Sequence, residues 1–147
     1  MNHKGREGHE AQDTEPRFRA ESPLTPDQEA MVRDIIGAAI DAHKALGPGF
    51  LEGVYDRALP IALLARGLPF ERQREIPITF KGEVLCTHRL DLVVANLVVV
   101  EIKAVKRIRP IHRAQILSYL KASNYRVGLL MNFNVKLMVE GIERFVR

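Results

Sequence analysis

Apolar positions change period midway along the chain, from helical spacing before residue 70 to strand alternation after it. Thr25-Pro26-Asp27-Gln28 predicts a helix start, with Thr25 as cap, Pro26 at N1 and Gln28 closing a capping box. Val32, Ile35, Ile36, Ala39, Ile40 and His43 then recur at helical spacing, and Gly47-Pro48 stops the run. A second helix is expected from about Phe50 to Arg66, with Val54, Leu59, Ala62 and Leu63 on its apolar side. Pro60 interrupts it, so it either kinks or divides into two pieces.

From Phe70 the period is two. Phe70–Phe80 reads as a strand with Ile76, Ile78 and Phe80 on one face, turning at Lys81-Gly82 into a second strand over Glu83–Val94. Asn96 marks a tight connection to a third strand, Leu97–Val105, apolar enough to be central. Pro110–Ser123 is helical, with a buried stripe of Ile111, Ala114, Leu117 and Leu120, or else of Ile116 and Leu120. Arg126–Phe133 is a fourth strand, and Ile142–Val146 adds an edge strand. The order α-α-β-β-β-α-β predicts an α/β fold, a mixed sheet flanked by helices. Residues 1–24 lack periodicity and are rich in polar residues, which reads as a disordered tail ahead of one domain over 25–147. His3 and His9 in that tail lie too far apart to count as metal ligands.

Composition adds modest limits. With 46% hydrophobic and 27% charged residues, the 147-residue chain has the make-up of a globular domain. No apolar run is long enough to span a bilayer, and no apolar segment opens the chain as a secretory signal. The lone Cys86 has no internal disulfide partner; it reads as a small half-buried hydrophobe, and a cytoplasmic setting is expected. Charge is more telling. The net charge is +4, and Lys103, Lys106, Arg107, Arg109 and Arg113 fall in one short window without an acid. Such a basic stripe suits a phosphate backbone.

The chemistry is concentrated in the most apolar strand. Val98-Val99-Val100-Glu101-Ile102-Lys103 holds two opposite charges where a buried strand should hold none, and burying unpartnered charge is costly. Alternation puts Glu101 and Lys103 on one face, about 7 Å apart along the strand. Asp91 is a second such charge on the preceding strand, and the turn at Asn96 can bring it beside Glu101. Two carboxylates with the backbone carbonyl of Ile102 or a neighbour form an oxygen site suited to Mg²⁺ (or Mn²⁺). A lysine two residues from one ligand can orient a water and offset charge on a phosphate. The plainer alternative is a Glu101–Lys103 salt bridge. Gln115 and Tyr119, at i and i+4, share a helix face, with His112 one turn earlier. Glu52 and Tyr55, just after Gly47-Pro48-Gly49, have structural explanations in the helix dipole and in core packing.

Gly49-Phe50-Leu51-Glu52-Gly53-Val54-Tyr55 resembles the signature of the GxxExxY proteins, a branch of the PD-(D/E)XK nuclease superfamily. The resemblance extends over roughly Thr25 to Arg147. It takes in Asp91, Glu101-Ile102-Lys103, the run from Pro110 to Leu120, and Gly128-Leu129-Leu130-Met131-Asn132-Phe133. It implies an α-β-β-β-α-β core. Asp91 and Glu101 take the metal-ligand roles, Glu52 is the additional acid reaching the metal directly or through water, and Lys103 handles the attacking water. Gln115 and Tyr119 match the Q-x₃-Y motif of the RecB-like branch, where these residues support the site and contact substrate. Leu90, where a small residue is common, and Pro60 depart from the pattern. Three readings follow. One is a Mg²⁺-dependent nuclease acting on DNA, with Lys106, Arg107, Arg109, His112 and Arg113 holding the backbone and a homodimer or a targeting protein as partner. Another is a non-catalytic nucleic-acid-binding or regulatory module that keeps the fold. The last is an assembly protein in which the buried charges only pair with each other.

Overall fold

In the computed structural model, residues 24–147 are described; the tail expected over 1–24 falls almost wholly outside them. Thr25 caps α1 (Pro26–Leu46) as a reciprocal box: its Oγ1 accepts the Gln28 N–H at 3.2 Å, and Gln28 Oε1 accepts the Thr25 N–H at 3.0 Å. The helix ends at Gly47, whose φ of 70° suits a residue without Cβ and whose N–H donates to the His43 carbonyl. After the Gly47-Pro48-Gly49 turn, α2 (Glu52–Ala65) runs as one element through a buried Pro60, so the two-piece alternative is not what forms.

The sheet has the order β1-β2-β3-β4-β5: β1 (Phe70–Phe80), β2 (Glu83–Val94), β3 (Val98–Lys103), β4 (Val127–Asn132) and β5 (Ile142–Val146). All neighbours are antiparallel except β3 and β4, which run parallel from Val98↔Val127 to Lys103↔Asn132. A parallel pair needs a crossover, and α3 (Pro110–Ser123) supplies it. Ala95 and Asn96 both have positive φ (53° and 51°), in a tight turn that the Leu97 N–H closes by donating to the Val94 carbonyl at 3.0 Å, within the three-residue connection from Val94 to its partner Val98.

Helices α1 and α2 cover one side of the sheet. Val32, Ile35, Ala39, Leu59 and Leu63 bury against Leu92, Val100, Ile102, Leu129 and Met131. On the other side Leu120 closes over Ile76, Leu90, Val93 and Val99. A Cβ at Gly128 would meet the Ile116 side chain at 2.9 Å, so the glycine is what lets α3 approach β4.

Of the two stripes that periodicity allows on α3, the one that forms is Ile116 and Leu120, while Ile111, Ala114 and Leu117 are exposed, because the helix seats over Gly128 on that row. Phe80 is 62% exposed although it alternates with buried Ile76, because it lies at the end of the β1–β2 hairpin that runs beyond the β3 pairing. Cys86 is exposed, not half-buried, in the part of the hairpin that runs beyond the β3 pairing.

Candidate active site

The hairpin that carries the acids opens partway along. β2 and β3 pair only from Val94↔Val98 to Leu92↔Val100. At the next position Asp91 Oδ2, not a backbone carbonyl, accepts the Ile102 N–H at 2.9 Å. The side chain satisfies the amide that the parting strands would leave bare.

Glu101 sits inside that opening, 8% exposed, and its Oε1 has no hydrogen-bond partner. Burial pushes its carboxyl up to about 8; the Asp91 charge adds to the rise, and Lys103 and the Asp91 backbone amide oppose it. Asp91 is also raised, first by burial, with the Ile102 amide opposing, Asp56 adding, and Lys103 and His88 opposing. Glu52, at the first turn of α2, is raised by burial, against the pull of Lys103 and with Asp91 and Asp56 adding. Glu52, Asp91, Glu101 and Lys103 thus influence one another electrostatically. None of the ion pairs among the described residues includes any of the four. A simple Glu101–Lys103 salt bridge is therefore not what holds these charges in the sheet.

Tyr55 explains why Glu52 is delivered here. Its ring is fully buried and stacks on Phe133 with centroids 4.7 Å apart. Its hydroxyl donates to the Gly47 carbonyl at 2.6 Å and accepts the Phe50 N–H at 3.2 Å. The signature's tyrosine thus fastens the turn from which the signature's glutamate emerges, one helical turn away.

On α3, Tyr119 is half-buried and stacks on His88, and its hydroxyl is raised by burial and by Glu101 and Asp91. Gln115, one turn earlier, is exposed. His112 Nδ1 accepts the Arg109 N–H at 3.0 Å, so the ring satisfies a helix-start amide. Burial and the charges of Lys103, Arg109 and Arg113 hold it below the usual imidazole range. Lys106, Arg107, Arg109 and His112 line one hollow of about 750 Å³. Arg113 differs: its Nε donates to Glu143 at 2.8 Å, and it lines a neighbouring hollow.

Among the described residues no group of three or more His, Cys, Asp or Glu side chains stands close enough to hold a metal ion. Glu52 acts least on Glu101 of the groups that shift it. The donor chemistry nonetheless suits a hard divalent cation. Glu101 keeps a buried oxygen without a partner, beside a second carboxylate whose own charged form is disfavoured.

Three participants carry no obvious sequence signal or only a weak one. His88 is an ordinary polar residue in an alternating strand. Asp56 lies at i+4 from Glu52, a spacing that could have flagged it, but it also pairs with Arg72 at 2.9 Å. Asn132 is buried and bonds the backbone of Val105.

The family model of the PD-(D/E)XK nuclease superfamily matches residues 29–145. Neither a curated protein nor a solved structure matches the chain. No helix among the described residues is long and apolar enough to cross a membrane.

Proposed function

The chain belongs to the PD-(D/E)XK nuclease superfamily, and from that premise we propose that it is a Mg²⁺- or Mn²⁺-dependent nuclease that hydrolyses phosphodiester bonds in DNA. The observation that carries this reading is the buried, unpartnered Glu101 oxygen beside Asp91, with Lys103 on the same strand. Asp91, Glu101 and the Ile102 carbonyl would hold the cation, with Glu52 reaching it through water. When bound, the ion supplies Lewis-acid polarisation of the phosphate and charge neutralisation.

The chain's own groups do the rest. Lys103 donates hydrogen bonds to the attacking water and to the phosphate, orienting the one and offsetting charge on the other. Water oxygen bonds to phosphorus in line and gives up a proton to solvent, the bond to the leaving sugar oxygen breaks, and that oxygen takes up a proton from solvent. Gln115 and Tyr119 contact the strand being cut, and the hollow of Lys106, Arg107, Arg109 and His112 holds the flanking backbone. Membership of the GxxExxY family in the RecB-like branch, a cytoplasmic location, and a homodimer or a targeting protein as partner belong to the same proposal.

The second reading, a nucleic-acid-binding module without turnover, draws on the lack of a closed three-ligand cluster among the described residues. Two measurements separate the readings. Calorimetry with Mn²⁺ should show binding that Asp91→Ala removes. A panel of labelled DNA and RNA strands should be cut by the wild type with Mn²⁺ and not by Lys103→Ala. Equal cleavage by Lys103→Ala would remove this mechanism, and the absence of both binding and cleavage would leave the binding module.

A further inference from the structure

His88 of β2 and Tyr119 of α3 lie face to face, with ring centroids 3.9 Å apart and planes 17° from parallel. The stack adjoins the carboxylates: Asp91 and Lys103 are the charges that His88 feels, and Glu101 and Asp91 those that Tyr119 feels. Both rings also line a cavity of about 660 Å³ between the β1–β2 hairpin and α3. Its wall includes apolar Ile78 and Ala122 together with Thr87 and Lys121. No carboxylate lines it among the described residues. His88 Nε2 is shut off from solvent and has no hydrogen-bond partner, so the ring does not offer this atom to the cavity.

These features specify an occupant. The volume is in the range of a small-ligand site. Aromatic and apolar walls suit a flat heterocycle, and Thr87, Ser118 and Asn124 in the lining suit its polar edges. A lysine without a competing acid suits the phosphate attached to it. The position of the cavity narrows the choice further. Helix α3 is about 21 Å long. The basic hollow lies at its start, and the cavity, lined by Tyr119, which feels the charges of Glu101 and Asp91, lies at its end. A strand lying along α3 meets them in that order.

We propose that this cavity receives an unpaired nucleobase of the strand being cut, next to the scissile phosphate. The substrate class of the nuclease is then single-stranded or frayed-end nucleic acid. This rests on the nuclease reading and deepens it. A base inside a duplex is stacked on both faces and paired at its edge, so it does not reach such a pocket, whereas an unpaired base exchanges its stack for aromatic side chains.

Binding tests this apart from cutting. The full chain in EDTA is titrated with a fluorescein-labelled oligothymidylate of about 12 nucleotides, free or annealed to its complement, and followed by polarisation. The single strand should bind at least about ten-fold more tightly than the duplex. An abasic site scanned along the strand should weaken binding about ten-fold at one or two positions. Ala122→Trp, which fills the cavity, should abolish the preference while melting cooperatively; the abasic scan on wild-type protein decides the matter if that variant does not fold. Equal affinity for both forms, or an abasic scan without effect, overturns the proposal. Cleavage with Mn²⁺ is scored separately. A protein that prefers single strands but never cuts them keeps the pocket and loses the nuclease; one that cuts duplex with no abasic effect keeps the nuclease and loses the pocket.

Discussion

Asp91 accepts the Ile102 backbone N–H through its carboxylate at 2.9 Å, on the residue between Glu101 and Lys103. One side chain therefore has two duties. It closes the hydrogen-bonding gap where β2 and β3 part, and it stands as an acid beside Glu101. Charge and structure can be separated by choosing the substitution.

Asp91→Asn keeps an oxygen to accept the Ile102 N–H and loses the charge. Asp91→Ala leaves that partly buried amide bare. Urea unfolding should place Asp91→Asn within about 1 kcal/mol of wild type and Asp91→Ala about 1–3 kcal/mol below it. Both should lose Mn²⁺ binding by calorimetry. Equal destabilisation would mean that the carboxylate has no structural share.

Glu101 makes metal-free stability depend on pH in an unusual direction for a carboxylate. Its folded-state value is about 8 against an ordinary 4.5, so the folded chain holds a proton that the unfolded chain has released between those values. The stabilisation is complete below 4.5, falls across the window, and is gone above about 8. Denaturant melts at about pH 5 and about pH 9 should differ by a few kcal/mol from this group. Glu101→Gln should remove the difference and raise stability at the alkaline end.

Cation binding needs the ionised form of that same carboxyl. Mn²⁺ should therefore expel close to one proton at neutral pH, read as a dependence of calorimetric heat on the buffer's ionisation enthalpy. Affinity should rise with pH and level off above about 8. Heat independent of the buffer would show that Glu101 stays out of the coordination.

The basic residues should not contribute alike. Lys106→Ala, Arg107→Ala and Arg109→Ala should each lower the slope of log affinity against log salt by about 0.7 to 0.9 on single and double strands respectively. Arg113→Ala should lower it less, because Glu143 already offsets that charge. Its loss should appear instead as a small fall in stability, since so exposed a pair is screened by solvent.

How much of this is legible in the sequence follows from what each signal depends on. Strand alternation and cap chemistry are local, and they locate β1, β2 and the start of α1 to the residue. Glu101 and Lys103 stand out because charge inside an apolar run is an anomaly along the chain itself. The buried row of α3 is different. Its periodicity allows two stripes, and the choice between them rests on the missing Cβ at Gly128, which lies on β4, near α3 in space and not in sequence. His88 and Asn132 are silent for the same reason. Each matters through a partner on another element, Tyr119 for one and Val105 for the other.

Asn132 closes the site from beneath, and its substitution should separate binding from turnover. It ends β4, buried, opposite Lys103 in the parallel register. Its Oδ1 accepts the Val105 N–H at 3.0 Å, and its Nδ2 donates to the Val105 carbonyl at 2.9 Å. The amide side chain thereby copies one step of a β-ladder after the backbone ladder has ended. Lys103 is tied independently, its carbonyl accepting the Phe133 N–H at 2.9 Å. Asn132→Ala therefore frees Val105 and the basic run that follows it, while Lys103 stays on its strand. The partly buried N–H groups of Val105 and Asn134 lose their acceptor, at about 1–3 kcal/mol each if water does not replace it, while the Val105 carbonyl keeps Asn134 Nδ2 at 3.4 Å. Steady-state cleavage should show KM raised several-fold with kcat nearly kept, and polarisation should show the matching loss of affinity in EDTA. A fall in kcat as large as the rise in KM would mean that the clamp also sets the position of Lys103. Asn132→Asp gives the control: it keeps the acceptor for the Val105 N–H but sets an oxygen against the Val105 carbonyl, so it should loosen the same segment without emptying the space.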